Sequence, residues 1–327
     1  MNPFYKSLEV IWERPKYVWL NEKRLKEVAR EMAREDLKIP NWRAPVFYPK
    51  DDENFVQLLG IENSINFAFT DFEAKKKFKI EFKGQEWTGS FAMAGSLLRA
   101  IEEGIPILDA EYLKNIRFRD MLYIFRSVPG YKMPMLKERT EIFREIGRML
   151  LERYDGSFWN LFEDAGFMAF GPYGIVNQLR HSFPSFNDVS ECLHFHKRSQ
   201  LMVMVYQGRA LDSHGELPLI GDIDDLGAIA DYEVPKVLEY LGILEYAPSL
   251  KKKILNQEII EKDSREEQEI RAITILAMKR LMEEMNELRQ KLEKEKINMC
   301  HLDFRIWKMG KDATNLPPHH LTRTIFY

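Results

Sequence analysis

The chain has 327 residues, of which 45% are hydrophobic and 30% are charged, enough for the core of one domain over 1–327 or of two interlocked helical lobes. The formal net charge of −3 gives no overall basic field, which argues against a stable nucleic-acid partner. The two cysteines exclude a disulfide framework.

The start of the chain lacks a basic stretch followed by an apolar run. No apolar stretch approaches the ~20 residues that span a bilayer. Since the cysteine content also suits a reducing compartment, we expect a cytoplasmic protein without a membrane partner.

The first clear element is a helix over 21–35. Leu25, Val28 and Met32 share one face of it, and Asn21 is a suitable N-cap. Alternating patterns over 65–69 and 78–82, with a turn at 83–85 before 86–88, then predict a small antiparallel β element near residues 64–88.

Helical patterns dominate the rest of the chain, separated by glycine and proline. The predicted helices cover 89–103, 117–126, 135–154, 157–165, 175–181, 199–208, 234–241, 264–296 and 299–309. Strands and helices do not alternate as a parallel sheet requires, so the predicted fold class is mainly α.

Asp231 interrupts the apolar run 226–242 where a helix is expected to begin. A carboxylate there is costly unless it caps the helix or performs chemistry. As a cap it would accept backbone N–H groups at the start of a helix whose first turn contains Pro235. A capped helix start is also a rigid mounting for a catalytic carboxylate, so both roles stay open.

Two adjacent cations, Lys197 and Arg198, precede the apolar run 201–205. Positive charge at a helix N-terminus opposes the helix dipole. An anion held by the cations and the free backbone N–H groups would resolve this conflict, and two solvated charges are the alternative.

Asp303 lies in the largely apolar segment 302–307, so we expect it to be partly buried. A partner such as Arg305, or an amine of a ligand, would then offset the cost of burial. A purely structural ion pair is the alternative.

Cys192, His194 and His196 alternate, as zinc ligands on one face of a strand would. Three ligands so close in sequence would crowd one ion, so a packed or solvated patch is favoured and no metal or cofactor is expected. The sequence also lacks a phosphate-binding loop, a dinucleotide fingerprint and a serine nucleophile elbow.

Several segments together resemble the queuosine salvage proteins, a family of queuosine 5′-phosphate N-glycosylases. None is a widespread short motif, and their order and spacing make the resemblance specific over nearly the whole chain. They are Asn66-Phe67-Ala68-Phe69, Thr88-Gly89, 99–107, 182–188, 195–200, 230–238 and Leu302-Asp303-Phe304.

The resemblance implies a largely helical fold similar to helix-hairpin-helix DNA glycosylases, with a small added β element. It implies hydrolysis of the N-glycosidic bond of queuosine 5′-monophosphate, which releases queuine for transfer RNA modification together with ribose 5-phosphate. The implied catalytic carboxylate falls on Asp231, and the implied base contacts fall on Ile229, Asp303, Phe304 and Lys308. The residues themselves suggest a phosphate contact at 197–198.

The chain departs from the family pattern around the base. Ile229 stands where relatives usually have Phe, Phe304 stands for a Tyr, and Lys308 stands for an acid. Val46 falls where a ligand-contacting His is expected. A related 7-deazaguanine nucleotide or nucleoside is therefore an alternative substrate.

Two other functions compete with nucleotide hydrolysis. A DNA or RNA base glycosylase would require a basic groove and salt-sensitive binding, which the net charge disfavours. A non-catalytic binder of a 7-deazaguanine nucleotide would hold its ligand without turnover.

Overall fold

The computed structural model describes residues 2–313 and 315–327, and these residues are mainly helical, as predicted. The helices are α1 (Tyr5–Trp12), α2 (Glu22–Met32), α3 (Glu53–Ser64), α4 (Ser90–Glu102), α5 (Ala110–Lys114), α6 (Phe118–Ile124), α7 (Leu136–Arg153), α8 (Phe158–Asp164), α9 (Ile175–Ser182), α10 (Lys197–Leu211), α11 (Glu233–Tyr240), α12 (Pro248–Leu255), α13 (Arg265–Lys291) and α14 (Met299–Asp312). Short 3-10 turns cover Pro184–Phe186 and Ile223–Asp225. The predicted likeness to helix-hairpin-helix glycosylases stays a prediction.

The strands form short antiparallel pairs. They are β1 (Val18–Leu20), β2 (Lys79–Phe82), β3 (Gln85–Thr88), β4 (Val189–Ser190), β5 (Leu193–His194) and β6 (Leu244–Tyr246), paired as β1–β6, β2–β3 and β4–β5. The β2–β3 hairpin confirms the predicted β element. Its turn residues Lys83 and Gly84 both have positive φ, at 51° and 76°, which suits the twist of a tight hairpin.

The strand predicted over 65–69 is wrong. Helix α3 continues to Ser64, and Ala68 has a φ of 39°, outside the extended region. The guanidinium of Arg139 binds the carbonyl groups of Ile65, Phe67 and Ala68. Because a side chain satisfies these carbonyls, the segment needs no strand partner despite its alternating pattern.

The predicted helix ends are close to the observed ones where a side chain caps the helix. Asn21 accepts the backbone N–H of Arg24 at 2.9 Å and so begins α2, as predicted. Ser264 likewise caps α13 by accepting the N–H of Glu267 at 3.3 Å. Helices α1, α3, α5 and α12 were not predicted from the sequence.

The described chain divides into two compact units, each made of several segments. Unit 1 contains Met1–Pro40, Asp188–Gln200 and Asp222–Arg323, and unit 2 contains Asn41–Asn187, Leu201–Gly221 and Thr324–Tyr327. The single domain expected over 1–327 stays a prediction.

In unit 1 the long helix α13 packs against α1 and α2, and α11 packs against α14. The buried carboxylate of Glu269 on α13 accepts the backbone N–H groups of Lys16, Tyr17 and Val18 at 2.6–3.0 Å. This carboxylate therefore fixes the segment that leads into β1.

In unit 2 the helices α5 and α7 pack closely. Gly147 permits this approach, because a Cβ at that position would lie 2.3 Å from the backbone nitrogen of Lys114. No helix among the described residues combines the length and apolar character needed to cross a bilayer.

Candidate active site

Asp231 precedes α11 and caps its first turn. Its Oδ1 accepts the backbone N–H groups of Glu233 at 2.8 Å and of Val234 at 3.2 Å, which confirms the predicted capping role. Within residues 2–313 and 315–327, both hydrogen bonds of this carboxylate fall on Oδ1. Its Oδ2 is therefore available to water or to a ligand.

Asp303 lies on α14 and is buried, with 4% of its surface exposed. Its Oδ2 accepts the backbone N–H of Ile229 at 2.7 Å. The prediction that Arg305 pairs with Asp303 is wrong, because the guanidinium of Arg305 binds Glu35 at 2.6 and 3.1 Å instead. The acid is thus held by a backbone donor from the segment that carries Asp231.

The adjacent cations Lys197 and Arg198 are both buried, which rules out two solvated charges at this helix start. The backbone N–H of Lys197 donates to Oδ2 of Asp188 at 3.2 Å. Asp188 also forms a bidentate ion pair with Arg271 of α13, at 2.9 and 2.6 Å. A carboxylate therefore supplies negative charge at the start of α10, while the predicted phosphate contact stays a prediction.

Lys197, Asp231 and Asp303 influence one another electrostatically, and we call them the acid–lysine cluster. Burial raises the pKa of Asp303 well above its usual range, and nearby Asp231 raises it further. Burial also raises the pKa of Asp231, while the charge of Lys197 opposes that rise. Burial lowers the pKa of Lys197 to about 8, against the opposing effect of Asp231.

The remaining predicted base contacts differ in their surroundings. Phe304 is half-buried and stacks on Trp307, with ring centroids 6.0 Å apart. Lys308 is exposed and pairs with Asp312 at 2.5 Å. Val46 is buried in unit 2. Among the predicted site residues, the three members of the acid–lysine cluster and the backbone of Ile229 therefore lie together in unit 1.

One neighbour of the cluster was not predicted from the sequence. The ring of His319 stacks on Tyr232, the residue after Asp231, with centroids 4.3 Å apart. Its Nδ1 lies 2.7 Å from the carbonyl oxygen of His320, which fixes the orientation of the ring. No local sequence pattern connects the segment around His319 with 226–232, so the spacing of neighbouring residues could not reveal this contact.

The Cys-x-His-x-His segment contains a packed histidine pair. Nδ1 of His194 lies 3.3 Å from Nε2 of His196, and the ring of Phe4 lies against both. Cys192 is exposed. Among the residues that the structure describes, no group of three or more His, Cys, Asp or Glu side chains is arranged to hold a metal ion.

The acid–lysine cluster combines two different carboxyl groups. The charge of Lys197 and two backbone N–H groups favour the ionised form of Asp231 against the effect of burial, and a carboxylate so placed can stabilise positive charge that develops on a bound molecule. Asp303 is held in a setting that favours the neutral acid, so it can donate a proton. Burial raises the pKa of both carboxyl groups, and that of Asp303 lies well above its usual range. Two carboxyl groups whose surroundings differ are a common arrangement for acid-assisted bond cleavage.

The chain is similar to known proteins over most of its length. The family model described as queuosine salvage protein matches residues 46–327. A protein of Sphaerobacter thermophilus named queuosine 5′-phosphate N-glycosylase/hydrolase is 34% identical over 325 residues, which cover 96% of this chain and 94% of the relative. Relatives of the same name from Mus musculus and Bos taurus are 31% and 29% identical and cover 84% and 98% of this chain, and 83% and 97% of their own lengths. The chain therefore belongs to the queuosine salvage protein family.

Proposed function

We propose that this protein is an N-glycosyl hydrolase that cleaves queuosine 5′-phosphate into queuine and ribose 5-phosphate. Relatives that carry this activity in their names, from a bacterium and from animals, support the assignment. The observation that carries it within this chain is the acid–lysine cluster, in which an available carboxylate oxygen lies in the same site as a buried acid whose pKa is raised.

The reaction separates charge between the sugar and the base. When the bond from C1′ to the ring nitrogen breaks, its electron pair leaves with the base and positive charge develops on the ribose. A carboxylate at ~4 Å stabilises that charge by roughly 4 kcal/mol at an effective dielectric constant near 20, or about a thousandfold in rate. We assign this role to Asp231, whose Oδ1 is held by backbone donors.

Water then completes the hydrolysis. Its oxygen bonds to C1′, and its released proton balances the proton that the departing base takes up. Ionised Asp231 can accept this proton or orient the water, because its second oxygen is not engaged by the described residues.

The leaving base requires a proton or a strong hydrogen bond, and we assign this role to Asp303. A 7-deazaguanine ring has carbon at position 7, so the proton must reach another acceptor such as N3 or O6. The raised pKa of Asp303 favours the form that can donate it. Phe304 and Trp307, adjacent on α14 and stacked on each other, are proposed to provide an aromatic face for the base.

The 5′-phosphate is assigned to Lys197 and Arg198. Both are buried at the first turn of α10, where charged groups and backbone N–H groups coincide. A phosphate held here would position the sugar without touching the bond that breaks. Replacing both residues with Ala is expected to reduce the preference for the monophosphate over the nucleoside. An unchanged preference would remove both residues from the phosphate site.

The experiment for the whole proposal is a turnover assay with queuosine, its 5′-monophosphate and related 7-deazaguanine nucleotides, with the released base identified by chromatography and mass. Wild-type protein is expected to release queuine. Asp231→Asn is expected to abolish release while keeping its far-UV circular dichroism. Asp224→Asn is the matched control, because Asp224 is exposed and accepts only a hydrogen bond from Asn298 at 2.9 Å among the described residues.

Other outcomes would assign other functions. Tight binding of queuosine 5′-phosphate without product would make the protein a binder. Release of a base from DNA or RNA, with affinity that falls steeply with salt, would make it a nucleic-acid glycosylase. A preference for another deazaguanine nucleotide would place the specificity at Ile229, Phe304 and Lys308, where the chain departs from the family pattern.

A further inference from the structure

Gln200 has a buried side chain that binds three parts of unit 1. It lies one helical turn after Lys197 in α10 and has 2% of its surface exposed. Its Oε1 accepts the backbone N–H of Gly227 at 2.9 Å and the side-chain N–H of Asn2 at 2.7 Å. Its Nε2 donates to the carbonyl oxygen of Phe195 at 3.0 Å. Both ends of the amide are therefore engaged.

The contact with Gly227 reaches the segment that carries the catalytic carboxylate. Ile229 follows closely and donates its N–H to Asp303 at 2.7 Å. The N–H of Asp231 in turn donates to the carbonyl of Ile229 at 2.8 Å. Gln200 therefore connects the first turn of α10, which carries Lys197, to the backbone segment 227–231. That segment carries Asp231 and binds Asp303.

The contact requires glycine at position 227. A Cβ built there would lie 2.6 Å from Nδ2 of Asn2 and 2.9 Å from Oε1 of Gln200. Both distances are below normal van der Waals separation, so any side chain would push the amide away. Asn2 is itself held by the backbone N–H of Phe4, which donates to its Oδ1 at 3.0 Å.

We infer that Gln200 is a positioning residue that fixes the separation between the ammonium group of Lys197 and the carboxylate of Asp231. Its hydrogen bonds among the described residues reach neither of these side chains, and it acts through the backbone of Gly227. The inference rests on the proposed function for its kinetic consequences. Its effect on the geometry and ionisation of the cluster does not depend on which substrate is cleaved.

The inference has a defined electrostatic consequence. The charge of Lys197 lowers the pKa of Asp231, and Coulomb energy weakens as the charges separate. If the segment moves away, the pKa of Asp231 rises and that of Lys197 falls. The charged groups that face Lys197 are Asp188, Arg198, Asp231, Arg271 and Asp303, and those that face Asp231 are Lys197, Glu233 and Asp303.

The test compares Gln200→Leu with Gln268→Leu. Gln268 is also a buried glutamine of unit 1, and its Nε2 donates to Oγ of Ser190 at 3.1 Å. Both variants lose a buried amide, but only the first loses the contact with Gly227. The readouts are kcat and KM for queuosine 5′-phosphate as functions of pH, and the carboxyl ¹³C titration of Asp231 in the free protein, assigned with Asp231→Asn.

For Gln200→Leu we expect kcat to fall roughly tenfold or more with KM little changed, since small displacements of catalytic groups are costly. The acidic limb of the pH profile and the ¹³C titration should both move to higher pH. Gln268→Leu should keep the acidic limb of the wild-type pH profile while losing about as much thermal stability as Gln200→Leu. An unmoved titration in folded Gln200→Leu, or equal changes in both variants, would overturn the inference.

Gly227→Ala provides the same test without altering Gln200. It should move the titration of Asp231 in the same direction, because the added methyl group displaces the amide. A folded Gly227→Ala variant with the wild-type titration contradicts the inference. Since the ¹³C titration needs no turnover, a protein that cleaves none of the offered nucleotides would refute the proposed function while still deciding the role of Gln200.

Discussion

The backbone N–H of Ile229 donates to Oδ2 of Asp303 across 2.7 Å, and this contact joins residues that are 74 positions apart in sequence. It ties α14 to the segment that ends in Asp231. Because the donor occupies Oδ2, a proton on the buried acid belongs on Oδ1. The same contact thus orients the acid and sets its distance from the second carboxylate.

Asp303→Asn is expected to lower kcat by about 10²- to 10⁴-fold, the usual contribution of a positioned proton donor. The amide oxygen can still accept the N–H of Ile229, so KM should change little. Rapid-quench measurement of base release checks this prediction. Asp224→Asn serves again as the control, and full turnover by Asp303→Asn would exclude Asp303 as the donor.

Asp303 should also give the folding stability a pH dependence of defined sign. Its pKa is raised in the folded protein, so the folded state holds a proton that the unfolded state releases. This contribution is complete below the unfolded pKa of ~3.9 and is lost as pH rises toward the folded pKa. The melting temperature of the wild type should therefore fall relative to that of Asp303→Asn as the pH rises from acidic to neutral values. A stability difference that does not vary with pH would contradict the assignment.

Lys197→Met is expected to raise the pKa of Asp231, because the charge of Lys197 lowers it in the native protein. The acidic limb of kcat/KM should move to higher pH for the nucleotide and for the nucleoside alike. If Lys197 acts mainly on the phosphate, only the nucleotide will lose kcat/KM. Lys253→Met is the control, since Lys253 binds Glu266 at 2.8 Å with 42% of its side chain exposed.

The buried pair of Asp188 and Arg271 should contribute much more to stability than the exposed pair of Lys308 and Asp312. Arg271→Met leaves a buried carboxylate without its bidentate partner and should lower the free energy of unfolding by about 3–5 kcal/mol. Lys308→Ala should change it by less than about 1 kcal/mol. Urea unfolding of both variants measures the difference, and equal losses would contradict it.

Lys308→Ala also tests a base contact. The ion pair with Asp312 accounts for the position of this side chain on α14. If Lys308 contacts the base, KM for queuosine 5′-phosphate will change in the variant. An unchanged KM across the nucleotide panel is the outcome that its exposed position favours.

Local sequence determined much of the secondary structure. Asn21 and Ser264 begin helices through their own side chains, and Lys83-Gly84 closes a hairpin through its positive φ angles. These features depend on residues a few positions apart, so the pattern alone reveals them. The alternating pattern over 65–69 led to a wrong strand prediction, because Arg139, distant in sequence, binds the carbonyl groups of Phe67 and Ala68.

The candidate site also has features that the local sequence predicts and others that depend on long-range contacts. The sequence by itself singled out Asp231, Asp303 and Lys197 as costly or unusually placed charges, because an ionised group among apolar neighbours requires a reason. It determined the cap at Asp231, since that contact spans only two or three residues. Only the tertiary structure decided that Asp303 is held by Ile229 and that Arg305 binds Glu35 instead. Long-range contacts and burial set the pKa shifts of these groups, and neither is encoded in the spacing of neighbouring residues.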